Sequence, residues 1–198
     1  MDIETRLADA QAAGFFVAGE PLAVDLADTL ITVQDPPVDL VPDDAMCRRW
    51  WNLQADRLPQ GIAVPPREPT VELRRAVREI LDAQLTGATQ DPAAVRAVND
   101  VSARATAIRR LEHSSAGWAA VTNWQAPADQ PHDIALAVVA DSLIDLLTGP
   151  GLGRLRRCHN PACSMLFVAT DARRKFCTQN ICANRTRVAR HYRRHRDT

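Results

Sequence analysis

The stretch CHNPACSMLFVATDARRKFCTQNIC, residues 158–182, decides how the C-terminal part of this chain folds. Its cysteines, Cys158, Cys163, Cys177 and Cys182, follow the spacing C-x4-C-x13-C-x4-C. Each short pair bends the backbone so that two sulfurs face one point. The spacer lets the two pairs converge, which suits a tetrahedral zinc ion. Thiolates are soft donors and favour zinc over magnesium. Four of them around one zinc carry a formal charge of about −2. Arg156, Arg157, Arg173, Arg174 and Arg185 lie close in sequence to offset it. Met165 to Ala169 reads as a strand, Thr170 to Ala172 as a turn and Lys175-Phe176 as a returning strand, so the spacer is expected to be a hairpin. So short a segment cannot build its own core, and a structural ion supplying ~10–16 kcal/mol would fold it. One structural Zn2+ is therefore predicted. Unpaired buried thiols, disulfides and an iron–sulfur cluster are the competing accounts of the same four residues. Cys47, beside Trp50, reads as a lone core or surface thiol, and His159 as an exposed side chain.

Working outward, the net charge of zero conceals a division. Residues 154–198 hold 12 basic residues (11 Arg and Lys175) against Asp171 and Asp197, a balance of +10. The remaining 12 basic and 22 acidic residues lie in 1–153, a balance of −10. Such asymmetry points to a nucleic-acid-binding end. From about Asn180 to Arg196 there is no Gly or Pro, and a final helix is expected. At ~100° per residue, Ile181, Val188 and Tyr192 share one face, while Arg187, Arg190 and Arg194 centre on the other with Arg193 flanking. Arginine forks suit phosphates and guanine edges. The candidate nucleic-acid contacts are Arg173, Arg174, Lys175, Arg185, Arg187, Arg190, Arg193 and Arg194. Docking of the same charges on the chain's own acidic part is the competing account.

Toward the N-terminus, helix signals dominate. Asp43-Asp44 precedes Met46, Trp50 and Leu53 at helical spacing. Leu73, Val77, Ile80, Leu81 and Leu85 form one stripe, with Gly87 placed to end it in a left-handed cap. Asp91-Pro92 opens a further helix whose apolar positions run Val95, Val98, Val101, Ala105 and Ile108. Ile134 to Leu147 is apolar on most faces and is expected to be the central buried helix. Gly149-Pro150-Gly151 makes a boundary. Residues 15–41 read as a strand pair or a first helix, and 59–69, with four prolines, as a loop. The fold expected is mainly α: an N-terminal helical domain, 1–150, and a small treble-clef-like zinc finger of β-hairpin and basic helix, 151–198.

The 46% hydrophobic content over 198 residues excludes a mainly disordered chain. Asp141 and Asp145 interrupt the longest apolar run, so no membrane span is expected. Met1 to Gln11 lacks a signal-peptide layout, and a cytoplasmic protein is expected.

The segment RRCHNPACSMLFVATDARRKFCTQNICANRTRVARHYRRHR, 156–196, resembles the CGNR zinc-finger family, with Cys182-Ala183-Asn184-Arg185 at the signature. PLAVDLADTLITV, 21–33, resembles the opening motif of that family's N-terminal partner, the ABATE domain. Trp50, LRRAVREIL (73–81), AVRAVND (94–100) and ALAVVADSLIDLLT (135–148) are similar to its later blocks, in order. The resemblance implies bacterial, stress-responsive transcription regulators, the four cysteines as zinc ligands, and Asn184 and Arg185 as the signature's polar pair. Two departures stand out. Ala183 replaces the signature glycine, and the segment from Phe167 to Cys177 is shorter than is common in the family.

No hydrolase, zincin, P-loop or dinucleotide-binding pattern is present, and four thiolates leave a zinc ion no open position. The chain is therefore expected not to be an enzyme. Asp25 and Asp28 lie three apart, as paired catalytic carboxylates would, but are expected to be capping or solvated acids near a helix start. The expectation is a zinc-dependent DNA-binding regulator. A protein-interaction module and a thiolate redox sensor are the alternatives. A homodimer and a small-molecule or protein ligand of the N-terminal domain stay open, and the four tryptophans could line a pocket or fill a core.

Overall fold

The computed structural model describes residues 3–15, 19–178 and 182. Helix α1 (Ile3–Ala12) is followed by the short α2 (Leu22–Ala27), which fills the core with Leu22, Val24 and Leu26. Strands β1 (Leu30–Ile31) and β2 (Val38–Asp39) then pair antiparallel. Residues 15–41 thus contain both a helix and a strand pair. Helix α3 (Asp44–Leu53) starts where Asp43 accepts the Met46 N–H at 2.8 Å. Its Trp50 and Trp51 are buried edge to face, with Trp51 Nε1 donating to Thr70 Oγ1 at 3.0 Å.

Helix α4 (Arg67–Thr86) buries the predicted Leu73, Val77, Ile80 and Leu81 and ends at Gly87, whose φ of 71° makes the left-handed cap. Helix α5 (Pro92–Ser102) opens with Asp91 accepting the Ala93 N–H. Helix α6 (Asp133–Thr148) packs against α2, α4 and α5 and buries residues on most of its circumference. This agrees with its nearly continuous apolar run.

The expectation of a mainly α chain is overturned. Of the described residues, helix accounts for 45% and strand for 16%, so helices and small antiparallel sheets share the architecture. The largest departure follows α5. The apolar spacing suggested a helix reaching Ile108, but the helix stops at Ser102. Strand β3 (Thr106–Ser114) then pairs along its length with β4 (Gly117–Gln125). Gly117, at φ 102°, turns the chain after the two-residue loop Ser115-Ala116. Most side chains of this ribbon are exposed on both faces. No alternation of apolar and polar residues therefore marked it, and Val101, Ala105 and Ile108 imitated a helical stripe.

The finger hairpin is also corrected. Strand β6 (Leu166–Val168) pairs with β5 (Leu155–Arg157), not with Lys175-Phe176. Leu155 and Leu166 both enter the core formed by α2–α6, which draws β5 beside β6. The polar stretch after β6 is held in turns, with Arg173 N–H on Asp171 Oδ1 at 2.7 Å. The expected hairpin between the two cysteine pairs is replaced by a hairpin that carries the first pair in its connection.

Candidate metal centre and its docking surface

Cys158 follows β5 directly, and its N–H donates to Met165 O at 2.9 Å, extending the β5–β6 hairpin by one rung. Buried Asn160 then builds the turn. Its Oδ1 accepts the Ala162 N–H at 3.0 Å, and its carbonyl accepts the Cys163 N–H at 2.9 Å. The second pair is brought up by the His159 N–H, which donates to Lys175 O at 2.9 Å. Cys182 N–H donates to Thr178 Oγ1 at 3.4 Å.

The result is a cluster in which the four Sγ atoms lie within 4.8 Å of one another. Cys163 and Cys177 sulfurs are 3.8 Å apart, and those of Cys177 and Cys182 3.5 Å. A zinc ion with four sulfurs at about 2.3 Å needs sulfur–sulfur edges of about 3.8 Å, so the donor set fits. Without a cation the thiols share protons. Hydrogen bonds from Cys163 and Cys177 lower the Cys158 thiol to about 2, while the bond to Cys158 pushes Cys163 up to about 12. Cys177 is pushed up by the same contacts. A divalent ion replaces those shared protons and lets all four sulfurs ionise. Phe167, Met165, Ala169 and Ile31 of β1 pack around the cluster. Cys47 lies apart in the main core, and His159 is exposed, as expected.

The finger sits on the preceding helices through carboxylates that reach its edge strand. β6 uses one edge for β5, and Asp28 and Glu20 cover backbone donors beyond that pairing. Both Asp28 oxygens accept the Leu166 N–H at 3.0 Å. Glu20 Oε2 accepts the Val168 N–H at 2.8 Å. Arg78 donates to Ser164 O at 2.9 Å and lies 3.5 Å from Asp28, while Arg157 pairs with Asp82 at 2.6 Å. Burial raises the Asp28 carboxyl well above the ordinary range, against the opposing pull of the Leu166 N–H and Arg78.

The two acids, expected to be capping or solvated, are thus not solvated. Asp25 and Asp28 are 2% and 3% exposed. Asp25 accepts from Gly19 N–H at 3.0 Å and from Arg57 at 2.5 Å, yet burial still raises its carboxyl to about 6. Their spacing in a six-residue apolar helix was visible. Their partners, 32 and 138 residues away, were not.

The structure separates the candidate arginines. Arg174 is half-buried over the Phe167 ring, with its guanidinium 4.5 Å from the centroid. It donates to Glu20 Oε1 and to the Cys177 carbonyl, each at 2.7 Å. Arg173 and Lys175, on either side, are exposed. Arg185, Arg187, Arg190, Arg193 and Arg194, with Ala183 and Asn184, lie outside the described residues. The tryptophans do not share a pocket: Trp50 and Trp51 are core, Trp124 is half-buried and Trp118 is exposed. No described helix is long and apolar enough to cross a membrane.

These features define a zinc-binding protein, a four-thiolate finger seated on a largely helical platform. The family model for the ABATE domain, described as "Putative stress-induced transcription regulator", matches residues 20–150, and that of the CGNR zinc finger matches 154–195. The chain belongs to the ABATE family and carries a CGNR zinc finger whose four cysteines form a site for one structural zinc ion. A search of curated proteins finds no match to it.

Proposed function

We propose that this regulator binds duplex DNA through the basic surface of its finger, without enzymatic activity, in the cytoplasm. The carrying observation is the division of labour among the finger's cations. Arg157 and Arg174 are consumed by Asp82 and Glu20, whereas Arg173 and Lys175 point to solvent beside the metal centre. The C-terminal run from Arg185 to Arg196 adds six arginines from that centre onward. Zinc holds the finger around the four cysteines in shape, and phosphate contacts supply the affinity. The 1–150 and 151–198 parts act as platform and reader.

Titration of the zinc-loaded chain with duplex DNA across a salt series tests this. Log affinity falls with log salt at about 0.9 per phosphate contact. The triple variant Arg187→Ala, Arg190→Ala, Arg194→Ala weakens binding and flattens that slope. Binding unchanged by the triple variant would remove these arginines from the contact surface.

A second reading, a protein-interaction module, is favoured by the Glu20 and Asp28 contacts, which already show the finger accepting carboxylates. Tight association of separately produced halves with no DNA affinity would favour it.

A further inference from the structure

The geometry points to a homodimer formed by antiparallel pairing of β4 with β4 of a second copy, each arm laying its Trp118 against the other's Trp124. Among the described residues no strand pairs with the outer edge of β4, and that edge is the starting point. Ser114 and Gly117 flank a two-residue loop, so theirs is a hydrogen-bonded pair and alternate pairs follow. Ala119, Val121 and Asn123 therefore bond inward to β3. Trp118, Ala120, Thr122 and Trp124 turn their N–H and C=O groups to the outer edge.

Unpaired edges are usually blunted by charge or proline. β3 carries Arg109, Arg110 and Glu112. β4, reading GWAAVTNWQ, carries no charge and no proline over nine residues. An isolated two-stranded ribbon is marginally stable, and further strands stabilise it. Trp118, near the tip of this ribbon, is 72% exposed, and Leu111 on the same face is 71% exposed.

A two-fold axis at Val121 satisfies this edge. Ala120 then faces Thr122 of the partner subunit, and Trp118 faces Trp124 of the partner subunit, on one side of the sheet. Cross-strand aromatic pairs of this kind stabilise sheets. Trp124 is one wall of an open cleft of about 500 Å³, with Leu22, Val138, Leu146 and Val168 providing apolar surface. The incoming Trp118 carries the His113 ring against it, tilted by 54° with centroids 4.5 Å apart. Asp141, Asp145 and Arg154 also line this cleft. A nine-residue strand is about 30 Å long. The exposed Trp118 of each protomer, an aromatic worth roughly 150–250 Å², adds to the strand edge a substantial part of the roughly 800 Å² per partner typical of stable complexes.

Sedimentation equilibrium of the zinc-loaded full chain tests this. The wild type is expected to be dimeric at about 10 μM, a concentration that suits a micromolar or tighter dissociation constant. Ala120→Pro removes an outward N–H without losing a bond to β3, and Trp118→Ser removes the aromatic at an exposed tip. Each should raise the dissociation constant at least about tenfold, a loss of roughly 1.4 kcal/mol, with the far-ultraviolet circular dichroism unchanged. Should Ala120→Pro misfold, Trp118→Ser alone decides. A wild type that stays monomeric at about 100 μM, well above the range of micromolar dimers, overturns the proposal. So does a dimer whose dissociation constant Trp118→Ser leaves unchanged.

Discussion

Asp28 and Leu166, 138 residues apart, are joined by a backbone N–H that both carboxylate oxygens accept at 3.0 Å. This bond places an ABATE side chain on the edge of the finger strand. Both groups are buried, so neither can exchange its partner for water. Asp28→Ala leaves the Leu166 N–H unpaired and should destabilise the zinc-loaded chain by about 2–4 kcal/mol in urea unfolding. Asp28→Asn keeps an acceptor and should lose about half as much or less. Equal losses would show that hydrogen-bond acceptance is not what the site requires.

The two neighbouring finger arginines should separate stability from DNA affinity. Arg174→Ala removes the Glu20 ion pair, the bond to Cys177 O and the contact with Phe167. It should lower stability by about 2–3 kcal/mol. Arg173 is exposed, and Arg173→Ala should change stability by less than about 0.5 kcal/mol while weakening DNA binding. Thermal melts and a fluorescence binding assay on both variants check the contrast.

Asp25 should give the fold an unusual pH response. Its folded carboxyl is raised to about 6 from 3.8. A raised acid costs stability when ionised, so the cost is complete above pH 6 and declines as pH falls through that value. Between pH 7.5 and 5.5 the wild type should gain about 1 kcal/mol relative to Asp25→Asn. Paired urea titrations at the two pH values measure the difference. Asp39, whose carboxyl is held below its ordinary value against burial by hydrogen bonds from Arg74, acts with the opposite sign: its stabilisation is lost only as pH falls below the ordinary carboxylate range.

Removal of zinc should open the finger first. Elemental analysis is expected to find one zinc per chain, absent in Cys177→Ser. Chelation should expose the Cys158 and His159 amides to hydrogen exchange while α4 and α6 stay protected, since those helices have their own core. Protection of the finger amides unchanged by chelation would contradict a structural ion.

How much of this was legible in the residues themselves depends on the range of the forces involved. Cysteine spacing located the metal centre because a metal reads short local turns. Asp91-Pro92, Gly87 and the apolar run of α6 marked helices because capping and helical burial are local too. The β3–β4 ribbon was hidden, since a strand solvated on both faces has no alternation to show. The partner of β6 was hidden as well, because Leu155 pairs there only by sharing the main core with Leu166. Asp25 and Asp28 looked like surface acids. Only the packing of distant segments could bury them and supply Arg57 and the Leu166 N–H as compensation. The chain's local chemistry thus determined the zinc ligands and the strongest helices. Tertiary structure decided which carboxylates are buried, which arginines stay in solvent and how the finger is seated, because those outcomes depend on desolvation by residues far away in sequence.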